Sequence, residues 1–249
     1  YEKLKLDGLI AIGGEGTQNI AKELSSIGLN IIGVPKTIDN DLPGTEKTIG
    51  FSTCVDIVSE AVVRLQSTAE SHDRIMLLEV MGRDSGFIAL HGGVSGGAHV
   101  VLIPEIPFSY DAICKKILNR KKLGRNYSVI VVSEGVKDKK WRTPKKGAVA
   151  QIIAEELSAR LKMETRVTVL GHLQRGGTPN SEDRILATKL GVFACSLVES
   201  KSFGKFITVQ GDKFSAMDYT QLKSRERKKV CPTDFTLTSA ESIGICFGR

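Results

Sequence analysis

The feature that most constrains the fold of this chain is a repeating order of short apolar runs and helix-like segments. The apolar runs predict strands over residues 8–12, 29–34, 75–80, 99–103, 127–132, 166–170 and 206–210. The segments between them have helical periodicity and predict helices over 17–27, 51–70, 85–98, 109–120, 147–161 and 183–200. A strand–helix–strand order is typical of parallel strands joined by right-handed crossovers. We therefore expect an α/β fold throughout, with a buried first strand, a polar loop over 137–146 and a less regular tail.

Two carboxylates follow the second predicted strand, in the segment PKTIDND at residues 35–41. In an extended segment, residues two positions apart share a face, so Asp39 and Asp41 would point the same way. Two like charges held together cost free energy unless a cation, a substrate or a proton lies between them. At the carboxyl end of a parallel strand, the pair is a candidate general base with a partner. The alternative is an Asx-rich turn, in which these side chains only cap the backbone.

A glycine-rich turn with an acid inside it follows the first predicted strand, in the segment GGEGT at residues 13–17. Glycines between a strand and a helix N-terminus let backbone N–H groups approach phosphate oxygens, and the helix dipole favours the anion. Glu15 cannot face phosphate unaided, so it is a candidate partner for Mg²⁺, directly or through water. A plain structural turn is the alternative.

Basic residues near the ends of predicted strands form a further candidate set: Arg74, Arg83, Arg166, His172 and Arg175. Guanidinium groups bind phosphate oxygens with two parallel hydrogen bonds. The segment GHLQRGG at 171–177 is the most informative, because glycines flank a histidine and an arginine directly after a strand. Surface arginines and a core histidine are the alternatives.

Glu134 follows the strand predicted at 127–132 and is a candidate to bind a sugar hydroxyl, with a helix-capping or loop carboxylate as the alternative. Together with the carboxylate pair, the glycine turn and the arginines, it completes a set typical of phosphoryl transfer to a hydroxyl group.

The charge and cysteine content limit the partners that we expect. The net charge is +7, but aromatic residues make up only 6% and the basic residues are scattered, so we predict small phosphorylated ligands or a solvated face rather than nucleic acid. This interpretation includes the basic run at 225–229. No apolar run has membrane-spanning length, so we expect no membrane contact. The five cysteines are spread singly, which favours reduced thiols and a cytoplasmic protein.

Five ordered segments resemble the signature segments of the 6-phosphofructokinases: GGEGT at 13–17, PKTIDND at 35–41, MGRDSG at 81–86, SEGV at 133–136 and GHLQRGG at 171–177. The resemblance covers essentially the whole chain. It implies two Rossmann-like three-layer α/β/α lobes with mainly parallel sheets, the first truncated at its N-terminus. Residues 1–50 and 174–224 would form the rest of a phosphoryl-donor lobe, and residues 51–173 and 225–249 a fructose 6-phosphate lobe.

The resemblance also implies a reaction, the Mg²⁺-dependent transfer of a phosphoryl group from ATP to the 1-hydroxyl of fructose 6-phosphate in glycolysis. Asp39 would take the proton from that hydroxyl, Thr37 would contact the transferring group, and Arg83 would stabilise the transition-state charge. Asp41 would support Asp39 and, with Glu15, hold the metal.

The binding residues follow from the same resemblance. The acceptor would be bound by Asp41, Met81, Gly82, Glu134, His172 and Arg175, and its 6-phosphate by Arg74 and Arg166 of a neighbouring subunit. The donor would be bound by Gly14, Glu15, Gly16, Thr17 and Lys36. The implied assembly is a homo-oligomer, a dimer or tetramer with shared active sites.

Three positions or regions depart from the usual family pattern. Glu15 stands where the family usually has aspartate, and its extra methylene would displace the carboxylate. Gly16 is similar to the ATP-using members, whereas Lys36 is similar to the pyrophosphate-using ones. The combination is similar to ATP-using enzymes related to the pyrophosphate group, and pyrophosphate is the alternative donor. The family's first strand and its own glycine loop precede the region that matches Tyr1. Either this chain is part of a longer protein, or this polypeptide alone has an incomplete donor site.

Two other functions are open on the sequence. One is a different kinase of the GGDGT type, acting on NAD or a lipid, against which GHLQRGG argues. The other is a non-catalytic regulatory homologue that binds sugar phosphates, for which Glu15 and the absent first loop argue. Retention of Asp39, Asp41 and Arg83 weighs against that second possibility.

Overall fold

The computed structural model describes residues 1–138, 141, 148–222 and 226–249, and the statements below concern those residues. They form two compact units. Unit 1 consists of Tyr1–Thr53 and Thr178–Lys228, and unit 2 consists of Cys54–Gly177 and Lys229–Arg249. The lobe boundary expected at 224–225, and most of the loop expected at 137–146, lie outside the described residues. The assignment of the two units to donor and acceptor stays a prediction.

The secondary structure alternates as the apolar pattern predicts. The strands are β1 Leu9–Gly13, β2 Ile31–Pro35, β3 Ile75–Val80, β4 Val100–Leu102, β5 Ser128–Ser133, β6 Thr165–Val169, β7 Lys205–Gln210 and β8 Lys213–Asp218. The α-helices are α1 Glu15–Ser26, α2 Phe51–Ser71, α3 Phe87–Ser95, α4 Tyr110–Lys122, α5 Val149–Leu161, α6 Ser181–Glu199 and α7 Phe235–Ser242. Short 3-10 helices cover Glu2–Leu4 and Gly171–Arg175. The mixed α/β fold with mainly parallel sheets is confirmed.

In unit 1 the sheet has the order β1-β2-β7-β8, in which only the β7–β8 pair is antiparallel. Successive strand residues face opposite sides of a sheet, so the two faces carry different apolar sets. Ile32 and Ile207 pack against α6 on one face. Ile31 and Phe206 pack against α1 on the other. Helices therefore cover both faces of this sheet.

The expectation that the first strand is buried is wrong for the described residues. β1 lies at the edge of the unit 1 sheet, where its described pairing is with β2. Ile10 is 39% exposed and Ile12 is 59% exposed. A strand needs neighbours on both edges, as well as covered faces, to bury its side chains fully, and β1 is paired along one edge.

In unit 2 the sheet has the order β4-β5-β3-β6 and all its pairs are parallel. Helices α4 and α5 cover one face, where Ile75 and Ile130 belong to the main core. Helix α3 contacts β4 and β5 from the other face. Because the strands are parallel, their carboxyl ends meet at one edge of the sheet. The segments 81–86, 133–136 and 171–177 all begin at that edge.

The described residues contain no helix with both the length and the apolar character needed to cross a bilayer.

Candidate active site

The backbone of the segment 81–86, which follows β3, is held by side chains from the ends of the neighbouring strands. The Met81 N–H donates to Gln174 Oε1 at 3.1 Å. The Arg83 N–H donates to Glu134 Oε1 at 3.0 Å. The Gly86 N–H donates to Glu105 Oε1 at 2.9 Å. They support a turn with left-handed backbone at Gly82 (φ 128°) and Arg83 (φ 53°). Only glycine adopts the first of these conformations readily. The acceptors thus fix the direction in which Arg83 leaves the loop.

A cavity of about 410 Å³ that is open to solvent lies at the carboxyl edge of the unit 2 sheet. Its lining is Glu79, Val80, Met81, Arg83, Glu134, Val169, Gly171, His172 and Arg175. Two arginines, a histidine and carboxylates around one space suit an anionic ligand that also has hydroxyl groups. The structure therefore brings together four predicted acceptor residues, Met81, Glu134, His172 and Arg175, with the predicted catalytic residue Arg83. Gly82 lies in the same loop as Met81 and Arg83.

Arg74 and Arg166 lie elsewhere in unit 2. Arg74 Nε donates to Glu164 Oε2 at 2.7 Å, and the Arg166 guanidinium pairs with the other oxygen of the same carboxylate. The hydrogen bond from Arg74 lowers the pKa of Glu164, and the nearby charge of Arg166 adds to the effect. Both arginines are at the amino ends of β3 and β6. Since β3 separates Arg74 from Met81, the two ends are roughly 20 Å apart.

In unit 1 the glycine turn caps a helix, as the sequence predicts. Gly14 is the N-cap of α1 and Glu15 is the first helical residue. A carboxylate in the first turn is stabilised by the helix dipole. The end of β2 lies beside this turn, because the Lys36 N–H donates to the Gly13 carbonyl at 3.1 Å. An ideal Cβ at Gly14 would lie 3.3 Å from the Thr37 Cβ, so a larger residue there would press on Thr37.

Two predicted donor residues, Gly16 and Thr17, are exposed on the first turn of α1. Thr17 also packs against the glycine turn, since an ideal Cβ at Gly13 would lie 2.3 Å from its hydroxyl oxygen. Gly16 has open space around it. An ideal Cβ at that position meets no heavy atom of the described chain within 4 Å, apart from its own helix and neighbours.

The acidic segment after β2 is buried and fixed. Asp39 is 4% exposed and Asp41 is 3% exposed. The Asp39 N–H donates to Thr37 Oγ1 at 3.2 Å. Asn40, between the two acids, has a left-handed backbone (φ 50°), and its side chain accepts from the Thr48 hydroxyl. Buried carboxylates require cationic or hydrogen-bonding partners, so this segment is more than a surface turn.

One cation that the sequence did not single out contacts this acid-rich region. The guanidinium of Arg227 donates to Glu15 Oε2 from Nη2 at 2.8 Å and from Nε at 3.1 Å. Its Nε also lies 3.6 Å from Asp41 Oδ2. Arg227 belongs to the basic run at 225–229, but only 21% of its side chain is exposed. For this residue the interpretation as part of a solvated face is wrong.

The carboxylates fit a Mg²⁺ ion that is completed by phosphate oxygens. Glu15 and Asp41 approach one guanidinium, so their oxygens face a common point. Within the described residues, no group of three or more His, Cys, Asp or Glu side chains is placed to hold a metal alone. Mg²⁺ in phosphoryl-transfer sites usually takes one or two carboxylates together with substrate phosphates and water. Glu15 and Asp41 match that pattern.

Sequence reasoning also missed the buried polar residues that support the cavity. Gln174 is 1% exposed and Glu79 is 2% exposed. Glu79 Oε2 accepts from the Ala150 N–H at 2.8 Å, which ties β3 to the start of α5. Two sequence features could have indicated these residues. Glu79 is the one charged residue in the otherwise apolar strand 75–80, and Gln174 lies between His172 and Arg175.

Comparison with known proteins identifies the relatives of this chain. Residues 1–198 match the family model described as PFK, phosphofructokinase. The ATP-dependent 6-phosphofructokinase of Chloroflexus aurantiacus (strain J-10-fl) is 42% identical over 99% of this chain and 70% of its own length. ATP-dependent 6-phosphofructokinase 2 of Clostridium perfringens is 44% identical over 99% of this chain and 70% of its own length.

Solved structures give the same result for the fold. The pyrophosphate-dependent phosphofructokinase of Nitrosospira multiformis superposes with a TM-score of 0.82 at 24% identity, over 100% of this chain and 69% of that one. The phosphofructokinase of Saccharomyces cerevisiae superposes with a TM-score of 0.78 at 31% identity, over 88% of this chain and 33% of that one.

Proposed function

This chain belongs to the phosphofructokinase family, and we propose that it acts as an ATP-dependent 6-phosphofructokinase. The reaction moves a phosphoryl group from ATP to the 1-hydroxyl of fructose 6-phosphate and yields fructose 1,6-bisphosphate. The observation that carries the proposal is the unit 2 cavity, which joins Arg83, Glu134, His172 and Arg175. Its two guanidiniums and imidazole suit a sugar phosphate, and Glu134 suits a hydroxyl group.

Unit 1 supplies the groups that we assign to proton and phosphoryl transfer. Asp39 accepts the proton of the 1-hydroxyl and orients that oxygen for attack. The hydrogen bond from the Asp39 N–H to Thr37 Oγ1 holds these two residues in a fixed relation. Mg²⁺, when held by Glu15 and Asp41 with the donor phosphates, supplies positive charge that neutralises the phosphate oxygens. Asp41, which is buried beside Asp39, keeps the segment in place.

Unit 2 supplies the acceptor contacts in this proposal. Met81 and Gly82 line the sugar, while His172 and Arg175 bind its polar groups. Arg83 neutralises the charge that develops in transfer, as arginines do in other phosphoryl-transfer sites. The bond from its backbone N–H to Glu134 gives the loop a fixed course, so the guanidinium requires little rearrangement.

Two observations support ATP over pyrophosphate as the donor. The relatives at 42% and 44% identity are ATP-dependent enzymes. The open space beside Gly16 leaves room for a donor larger than pyrophosphate. Gly14, Thr17 and the exposed Lys36 are the other donor contacts that we propose.

The positions of Arg74 and Arg166 support an oligomeric enzyme with shared sites. They lie at the opposite end of β3 from the cavity, roughly 20 Å away by strand length. One sugar phosphate in that cavity cannot reach them in the same chain. We therefore assign them to the 6-phosphate of an acceptor bound by a neighbouring copy, in a dimer or tetramer.

The proposal is tested by measuring fructose 1,6-bisphosphate formation by the purified full-length protein with Mg²⁺, fructose 6-phosphate and either donor. We expect ATP to give a kcat/KM at least ~10-fold above that of pyrophosphate. A preference for pyrophosphate would contradict the donor assignment. Binding of fructose 6-phosphate without turnover on either donor would favour a regulatory homologue.

A further inference from the structure

Arg227 places a permanent positive charge at the two carboxylates that we assign to the metal. Its guanidinium donates two hydrogen bonds to Glu15 Oε2, at 2.8 and 3.1 Å, and its Nε lies 3.6 Å from Asp41 Oδ2. The side chains of Glu15, Asp41 and Arg227 are 19%, 3% and 21% exposed. Water therefore screens these charges only in part.

The backbone around Arg227 anchors the guanidinium at this position. The N–H of the next residue, Lys228, donates to the Asp41 carbonyl at 2.8 Å. The Lys228 ammonium donates to the Thr45 carbonyl at 2.9 Å. The segment is thus tied to the loop that follows β2, and Arg227 is held at the acids by more than its own ion pair.

We propose that Arg227 is a built-in counter-ion that occupies the Glu15–Asp41 pair until a divalent cation replaces it, and so sets the metal affinity of the site. This inference rests on the proposed function, because that function assigns Glu15 and Asp41 to Mg²⁺. Without a cation the two carboxylates would repel each other. With Arg227 in place an arriving Mg²⁺ meets a like charge, so the guanidinium has to withdraw before the metal can bind both acids.

The residue types suit this exchange. A guanidinium stays charged across the physiological pH range and forms two hydrogen bonds to one carboxylate, so it can hold the acids without a proton being gained or lost. The Glu15 side chain reaches Arg227 from the first turn of α1.

The test measures Mn²⁺ binding to the purified protein without nucleotide, from the electron paramagnetic resonance signal of free Mn²⁺. We expect Arg227→Gln to lower the Mn²⁺ dissociation constant by ~10-fold, which corresponds to about 1.4 kcal/mol.

Arg227→Lys keeps the charge and should bind Mn²⁺ as the wild type does. Lys213→Gln is the matched control, because it removes the same charge from an exposed position of β8 in the same unit. An unchanged or weaker affinity in Arg227→Gln, or no Mn²⁺ binding by any variant, would contradict the proposal.

A measurement on the wild type covers the case in which Arg227→Gln fails to fold. In protein labelled with ¹⁵N-arginine, the Nε–H signal of Arg227 is assigned by its loss in Arg227→Lys. We expect this signal to shift and to lose protection from solvent exchange as Mg²⁺ saturates the site. Saturation with the signal unchanged would overturn the proposal. Turnover of fructose 6-phosphate is assayed separately, so a failure of the proposed function is distinguished from a failure of this inference.

Discussion

Gln174 Oε1 accepts a hydrogen bond from the Met81 N–H at 3.1 Å, and this contact joins two loops that line the unit 2 cavity. The same side chain donates from Nε2 to the Gly171 carbonyl at 2.9 Å. A carboxamide is needed for both bonds, because it has an acceptor and a donor on one planar group. Gln174 therefore positions the loop of Arg83 relative to that of His172 without lining the cavity itself.

Gln174→Met should raise the KM for fructose 6-phosphate by ~10-fold, because a buried pair of hydrogen bonds is lost and both loops relax. We expect kcat to change by less than ~3-fold, since no group that touches the reacting atoms is removed. Gln174→Glu keeps an acceptor for Met81 but places a buried carboxylate against the Gly171 carbonyl, so its KM should rise at least as much as that of Gln174→Met. Gln151→Met, at an exposed position of α5, is the control. Equal KM values in Gln174→Met and wild type would contradict the assigned role.

Gly16→Asp should abolish efficient use of ATP while leaving the fold intact. The position has open space around it, and an acid in the first turn of a helix is favourable. The new carboxylate would occupy and repel the space that we assign to the donor. We expect kcat/KM for ATP to fall by ~100-fold or more, with a melting temperature close to that of wild type. Gly16→Ala adds volume without charge and should retain most of the activity. An ATP-active Gly16→Asp enzyme would show that the donor lies elsewhere.

His99 should make the stability of the protein depend on pH. Its Nδ1 accepts from the Val129 N–H at 2.9 Å, so that nitrogen carries no proton in the folded state. Burial, followed by the positive charge of Arg120, lowers the pKa of His99 from 6.5 to about 4. As pH falls the unfolded chain takes up the proton first. The stabilisation is therefore full above the unfolded pKa and is lost progressively as pH falls toward the folded pKa.

This dependence is measured by urea unfolding of wild type and His99→Asn. Asparagine keeps an acceptor near the Val129 amide and does not titrate. Between pH of about 7.5 and about 4.5, we expect the wild type to lose about 2 kcal/mol more than the variant, a value reduced for partial exposure. Parallel pH profiles for the two proteins would contradict the role of His99.

Much of the fold could be predicted because its signals are local. Apolar runs such as 75–80 and 127–132 form central strands that are buried on both faces, as expected for the β-branched and aliphatic side chains of a parallel sheet. The position of β1 could not be predicted from its own residues, since an apolar strand has the same sequence at an edge as in the middle. The sequence did not predict β8, because none of its side chains is fully buried and no apolar run marks it. Its hydrogen-bonded pairing with β7 holds it in the extended conformation.

The site shows the same division between local and long-range signals. Arg83, Glu134 and His172 each follow a parallel strand, so strand order alone places them at one edge of the sheet. The contact between Arg227 and Glu15 joins residues 212 positions apart, and no periodicity or spacing connects them. It arises from tertiary packing around α1.

We propose Asp39 as the base of an ATP-dependent phosphoryl transfer to fructose 6-phosphate. The most direct measurement is the kcat of Asp39→Ser for fructose 1,6-bisphosphate formation from ATP, beside wild type and Asp212→Ser, which alters an exposed acid of the β7–β8 turn. We predict a loss of at least ~100-fold for Asp39→Ser and little change for Asp212→Ser. An Asp39→Ser enzyme that keeps most of its turnover would contradict the claim.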